Sequence, residues 1–395
     1  MTARGRMLAA RAAAVLCAFA LYAAARVWLA NAFPWHRAFD DDFFLPETFR
    51  WIGGKGYLGE KATFARVPVW HWLLGAHFEL FRRYGLVVLQ AWIVLGAIAV
   101  YAAWVDAGRG RARWLPLLVF VLSPQILLYS RQGVNELWIG LLTLCVMLLG
   151  ERRGTAAALP MGALVGLALC TKPAAGLLAI AAAGYALRGA QRPAIALARV
   201  ALGGALVALP ILAWTAWERG TWLLDNTTAF NLSGMSVKEW RALPDAATRE
   251  AAGLARFHEA FAADPAGYLA AAAARAVDWL ARPSSLDLRH FYPDYPSAWI
   301  GAGDVLAFAG LAALAVVGTR RRDAFLWSMA AAWTLACAFP VFTPRSPKIV
   351  LLFPILLLAE RGVVRLVAWR ERASALPAAV PDRMTVREER EEEST

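Results

Sequence analysis

The chain has 395 residues, 59% of them hydrophobic and only 18% charged, with a formal net charge of +12. A soluble domain averages about 45–50% apolar residues, so this composition excludes an ordinary soluble globular protein. The positive charge does not mark a nucleic-acid binder, because the arginines sit in tight groups at the ends of long apolar runs, where they orient membrane helices.

The N-terminus carries Arg4, Arg6 and Arg11, then an apolar stretch containing Ala23-Ala24-Ala25. This outline is that of a signal peptide, but the apolar run continues to about Ala30, long enough to span, and predicts an uncleaved first helix. Nine further apolar runs follow. The ten expected spans are residues 8–30, 86–105, 114–129, 133–150, 156–170, 174–186, 194–217, 298–317, 324–341 and 349–367. The fold expected is an all-α polytopic membrane protein of about ten transmembrane helices.

With the N-terminus inside, the inner connections carry Arg109, Arg111 and Arg113; Arg152 and Arg153; Arg188 and Arg192; Arg320, Arg321 and Arg322; and Arg365, Arg370 and Arg372. Every inner connection is then basic, as membrane orientation requires. The same assignment leaves two long outer loops, 31–85 and 218–297, within a transmembrane domain of residues 1–372. The polar tail 373–395 ends in EEREEEST and is expected to be a disordered cytoplasmic segment. In the second loop, residues 245–261 read as a helix, and Asp264-Pro265 starts another that runs to Leu280 along the membrane surface. Cys17, Cys145, Cys170 and Cys337 all fall in apolar runs and read as small hydrophobes. There is no Walker loop, no H-E-x-x-H, no C-x-x-C and no internal repeat of the kind that marks many transporters.

The strongest local feature is Asp40-Asp41-Asp42-Phe43-Phe44, just beyond the first span. Adjacent carboxylates repel one another, and such a group can act as a general base or hold a divalent metal. The alternative is a solvated acidic turn that caps a helix. Several other charges fall in short turns on the same predicted side: Arg131 and Glu136, Lys172, and Arg345 with Lys348. Cations there run against the orientation bias and need another reason, either an anionic phosphate site or snorkelling to lipid headgroups. All five lysines, Lys55, Lys61, Lys172, Lys238 and Lys348, fall on this side. Arg66-Val67-Pro68-Val69-Trp70-His71-Trp72 starts an interfacial helix at its proline. His71, like His290 in its aromatic setting, is either a substrate contact or a packed interfacial histidine.

The order of these motifs resembles the GT-C-fold glycosyltransferases that use polyprenyl-phosphate sugars, among them protein O-mannosyltransferases and aminoarabinose transferases of lipid A. The matching segments are Asp40-Asp41-Asp42-Phe43-Phe44, Gly53-Gly54-Lys55-Gly56-Tyr57, Val67-Pro68-Val69-Trp70, the run from Leu122 through Tyr129-Ser130-Arg131 to Glu136, residues 162–168 through Lys172-Pro173, and residues 264–279. The chain departs from the family in its three aspartates in place of an Asp-Glu pair, in its short length, and in its lack of a C-terminal outer domain.

The resemblance implies a sugar moved from a polyprenyl-phosphate carrier to a hydroxyl on a glycolipid or protein, at the outer face of a bacterial inner membrane with both chain termini cytoplasmic. A phosphate leaving group needs no general acid, so one base suffices, and inversion at the sugar carbon follows. Asp41 is the expected base, then Asp40 and Asp42. Arg131, Lys172, Arg345 and Lys348 would hold the donor phosphate, and Glu136, Arg66, His71 and His290 would contact substrate. A divalent ion, Mg or Mn, at Asp40 and Asp41 is compatible with this chemistry but not required by it. The rival readings are a lipid or small-molecule transporter or flippase and a non-catalytic scaffold.

Overall fold

The computed structural model describes residues 2–32, 48, 68–105, 111–219, 227–281, 297–338 and 348–375. Among these residues there are sixteen α-helices, several short 3-10 turns and no strand. Four stretches are both long and apolar enough to cross a bilayer, Gly5–Leu29, Val69–Trp104, Pro193–Trp217 and Gly301–Gly318, and they mark the chain as a membrane protein. Three of them lie on the outside of the bundle. Only 11%, 22% and 28% of the first, third and fourth are buried, and they present Leu16, Trp28, Leu206, Leu209 and Leu306 outward. Apolar belts of this extent are stable against lipid and not against water.

The expectation of ten spans is corrected to four by this criterion. Each apolar run is helical, but most are too short, broken or charged. α1 (Ala3–Ala32), α9 (Pro193–Arg219) and α14 (Ser297–Gly318) are the long outer helices. The expected span 114–129 breaks into α4 (Leu115–Leu122) and α5 (Pro124–Tyr129), because Pro124 holds Ser123 extended at φ −57°, ψ 129°. α6 (Glu136–Arg153) carries Glu136, Glu151, Arg152 and Arg153 at its ends. α7 (Ala158–Leu169), α8 (Leu178–Leu187) and α15 (Ala324–Ala338) have 12, 10 and 15 residues. α16 (Lys348–Ala375) contains Glu360, Arg361 and Arg365.

The stretch Val69–Trp104 is itself two helices, α2 (Val69–Phe81) and α3 (Gly85–Trp104). They meet at Arg82, whose φ of 52° no side chain favours. The turn is tight enough that a Cβ on Gly85 would come within 2.6 Å of the Phe78 backbone nitrogen.

The core is built on α16 and α6. Residues 349–360 of α16 are buried throughout, and Phe353 lies over Gly140 of α6 and edge-on to Phe120 at 5.1 Å. Two helix pairs pack backbone to backbone through glycine. Gly162 and Gly166 of α7 face the carbonyls of Val200 and Gly204 on α9, while Gly318 of α14 and Gly362 of α16 face the carbonyls of Leu358 and Leu314. In lipid, where burial between helices gives little gain, such small-residue seams carry much of the association.

The connections sort to two ends. At one, here called the base, sit Arg113, Glu151, Arg188, Asp323, Glu360 and Arg361. Glu151 pairs with Arg188 at 2.7 Å and Arg361 at 2.8 Å, and Asp323 pairs with Arg361 at 3.1 Å and Arg188 at 3.4 Å. Arg113 and Trp104 both reach Glu360. Partial burial pushes the Glu151 carboxyl up, but the Arg361 and Arg188 guanidiniums outweigh it and hold it below the ordinary carboxylate range. The other end, here called the rim, gathers the end of α1, the start of α2, the turn between α5 and α6, and the turn after α7.

The second long loop folds as α10 (Thr227–Ser233), α11 (Val237–Ala242), α12 (Ala246–Ala263) and α13 (Pro265–Ala281) around a small core of Phe230, Met235 and Trp240. The helices expected from Asp245 and from Asp264-Pro265 are both present. Asp245 accepts from the Thr248 amide at 2.7 Å, and Asp264 from the Gly267 amide at 2.8 Å. α13 attaches to the rim through Arg275, which donates to the Ala338 carbonyl at the end of α15 at 2.8 Å.

Two outcomes follow. Gly162→Ala should lower the melting temperature of the solubilised protein more than Gly310→Ala, since a Cβ at Gly310 meets nothing while one at Gly162 meets the Val200 carbonyl. The second concerns pH. Hydrogen bonds from Thr248 hold the Asp245 carboxyl below its ordinary value, so its stabilisation of α12 is present above the unfolded pKa and is lost as pH falls through the lower folded one. Asp245→Ala should raise amide exchange in the first turn of α12 at neutral pH, and Asp245→Asn should not.

Candidate functional site

Six residues between α5 and α6, 130–135, leave the helical path, and all are buried. Non-helical backbone within a membrane bundle must find its hydrogen bonds in the protein. Here neighbouring side chains supply them. Arg26 of α1 donates to the Ser130 carbonyl at 2.8 Å and to its hydroxyl at 3.3 Å. Trp70 of α2 donates to the Gly133 carbonyl at 2.7 Å. Gln90 of α3 donates to the Gln132 carbonyl at 2.8 Å and to that of Val134 at 3.1 Å. Asn135 in turn donates to the Thr171 carbonyl at 3.3 Å.

Four of the residues singled out in the sequence meet around this turn. Arg131 is buried and its guanidinium donates to the Leu29 carbonyl at 3.4 Å. Glu136, at the start of α6, forms an ion pair with Lys172 at 2.9 Å. His71 sits in the first turn of α2, fully buried, with Nδ1 3.1 Å from the Thr48 hydroxyl. The α2 start is pinned to the same region by the Val69 amide, which donates to the Cys170 carbonyl at 3.2 Å.

The ion pair changes the reading of Lys172. It is expected at the donor phosphate, and in the resting structure its ammonium is held by Glu136. Arg131 likewise lies folded inward to the end of α1. Of the other residues, Asp40, Asp41, Asp42, Arg66, His290 and Arg345 lie outside the described residues, as does the divalent-metal expectation at Asp40 and Asp41. Lys348 is the first residue of α16, and its side chain is also outside them. Among the described residues no group of three metal-ligating side chains occurs.

Sequence reading passed over several residues here. Arg26 lies inside the first apolar run, where it was counted as span. Gln90, Gln125 and Gln132 are fully buried amides, and Asp304 is a carboxylate only 1% exposed inside the apolar stretch Gly301–Gly318. The available signal was simple: each is a polar residue within or bordering an apolar run, where burial is costly and demands a reason.

The Glu136–Lys172 pair is largely buried, with side chains 11% and 25% exposed. Removing one partner strands the other charge. Lys172→Met alone should therefore destabilise the solubilised protein by on the order of 2–3 kcal/mol, and Glu136→Gln combined with Lys172→Met by clearly less. Thermal melts of the two single variants and the double variant measure the coupling. Neither protein-family models, nor curated proteins, nor solved structures match this chain.

Proposed function

We propose that the chain is a membrane glycosyltransferase that moves a sugar from a polyprenyl-phosphate carrier to a hydroxyl acceptor at the rim. The observation that carries this reading is the bond between Thr48 and His71. Thr48 lies six residues after Asp42, and α1 ends eight residues before Asp40. Both anchors are at the rim, and six residues of chain span at most about 20 Å. Chain length alone keeps the acidic triplet within that distance of Thr48, and in this proposal it serves the turn that holds Arg131, Glu136 and Lys172.

In this reading one aspartate, Asp41 first, takes the proton of the acceptor hydroxyl as that oxygen bonds to the anomeric carbon. The bond from that carbon to the phosphate oxygen breaks on the opposite face, and the carrier leaves as polyprenyl phosphate. Arg131, Lys172, Arg345 and Lys348 stabilise the departing charge. The configuration inverts. The exposed apolar faces of the outer helices offer a path for the lipid tail. The four long apolar helices cross a bacterial inner membrane, and the arginine-rich base faces the cytoplasm.

A second reading, a transporter or flippase, draws support from Asp304. A carboxylate 1% exposed within an apolar helix is the kind of residue that marks an ion or substrate path. Transport assays in sealed vesicles separate the two.

Asp40→Asn, Asp41→Asn and Asp42→Asn, assayed singly with a labelled lipid-linked sugar in membranes, test the first reading. Loss of the base should lower transfer about 10²–10⁴-fold with folding intact. Full activity in all three variants overturns the assignment.

A further inference from the structure

The buried turn leaves one side chain out of its hydrogen-bond scheme. Gln132 is 0% exposed, and neither its amide nitrogen nor its amide oxygen has a hydrogen-bond partner among the described residues. Its backbone is fully engaged, donating to the Tyr129 carbonyl at 3.1 Å and accepting from Gln90 at 2.8 Å. Gln90 is also 0% exposed. It spends its nitrogen on two carbonyls of the turn, and its oxygen has no partner among the described residues. Two amides that touch through the backbone of one residue thus hold three unanswered groups, one donor and two acceptors.

Burying such groups unanswered is costly, and native proteins keep them where something else completes them. The Ser130, Gln132, Gly133 and Val134 carbonyls are each taken by a named side chain, whereas the Gln132 amide, like that of Gln125 in the preceding helix, has no hydrogen-bond partner among the described residues. Arg131, one of the proposed phosphate cations, directly precedes Gln132.

The excess of acceptors also selects the ligand. A phosphate offers only acceptors and cannot answer two amide oxygens. A sugar hydroxyl donates and accepts at once, and a pair of neighbouring hydroxyls matches a primary amide edge.

We propose that Gln132, with Gln90 beside it, is the subsite for the hydroxyl-bearing head of the ligand, a sugar ring held next to the phosphate cations. The inference rests on the transferase reading and deepens it. It makes Gln132 a binding residue for the sugar, while Arg131 and its neighbours hold the phosphate.

The test uses the full chain in nanodiscs. Equilibrium binding is measured for polyprenyl phosphate and for its mannosyl, glucosyl and arabinosyl conjugates, with thermal melts of the unliganded protein alongside. The wild type should bind at least one conjugate more tightly than the bare carrier. Gln132→Met removes both polar groups at similar volume. It should melt above the wild type when unliganded, because an unanswered amide has been removed, and it should lose about tenfold or more in affinity for that conjugate. Its affinity for the bare carrier should not change. Gln132→Glu, which keeps shape and exchanges the donor for an acceptor, should lose the same preference.

A Gln132→Met protein that melts below the wild type, or does not fold, shows the amide to be structural and overturns the subsite. So does a wild type that binds every conjugate no better than the bare carrier, or a variant that keeps the wild-type preference. Failure of the wild type to bind even the bare carrier overturns the donor reading itself, and the subsite with it.

Discussion

The buried turn at residues 130–135 sets a demand that much of the rim answers. Its carbonyls cannot reach water and cannot pair within a helix, and each left unsatisfied would cost several kcal/mol. Three helices therefore each contribute one side chain of suitable length: Arg26 from α1, Trp70 from α2 and Gln90 from α3. This fixes the heights of these helices relative to one another. It also sets the register of α6, because Glu136 follows the turn directly and meets Lys172 only if the turn is held. Arg131 reinforces the same arrangement in the opposite direction, reaching from the turn to the end of α1.

The two ends of the bundle handle polar groups differently. At the base, charges saturate one another. Glu151 lies between Arg188 and Arg361, Asp323 faces the same two guanidiniums, and Glu360 is shared by Arg113 and Trp104. Such a network locks the ends of α6, α8, α15 and α16 together. It accounts for Arg113 and Arg188, two of the arginines first read as orientation signals, and does not conflict with that role. At the rim, one ion pair is closed while two neighbouring amides keep unanswered groups.

Much of this was legible in the sequence, in uneven fashion. The apolar runs correspond to helices, and the caps at Asp245 and Asp264-Pro265 lie where the sequence puts them, because local hydrogen bonds decide helix starts. The break inside 114–129 was signalled by Pro124 but was masked by continuous hydrophobicity on both sides. Run length misled the span count, since helices such as α7 and α8 pack within the bundle and need not be as long as lipid-exposed ones. The convergence of Arg131, Glu136, Lys172 and His71 follows from placing their turns on one side. Their partners do not follow from it. That Lys172 is paired with Glu136 and not open depends on the angle between α6 and α7, which no local pattern encodes. Arg26 and the three glutamines were hidden for the opposite reason: single polar residues change the character of an apolar run very little, though burial makes each of them consequential.

The closed pair at the rim also bears on how an anion would be received there. Two unit charges about 4 Å apart attract by roughly 4 kcal/mol at an effective dielectric of 20, so Glu136, at 2.9 Å, holds the Lys172 side chain in a fixed place. Under the transfer reading, a phosphate arriving at the rim competes with Glu136 for Lys172. Binding then has to loosen the contact that positions the first turn of α6. The same residues would hold the resting fold and respond to the ligand, which is a stronger role for Glu136 than a passing substrate contact.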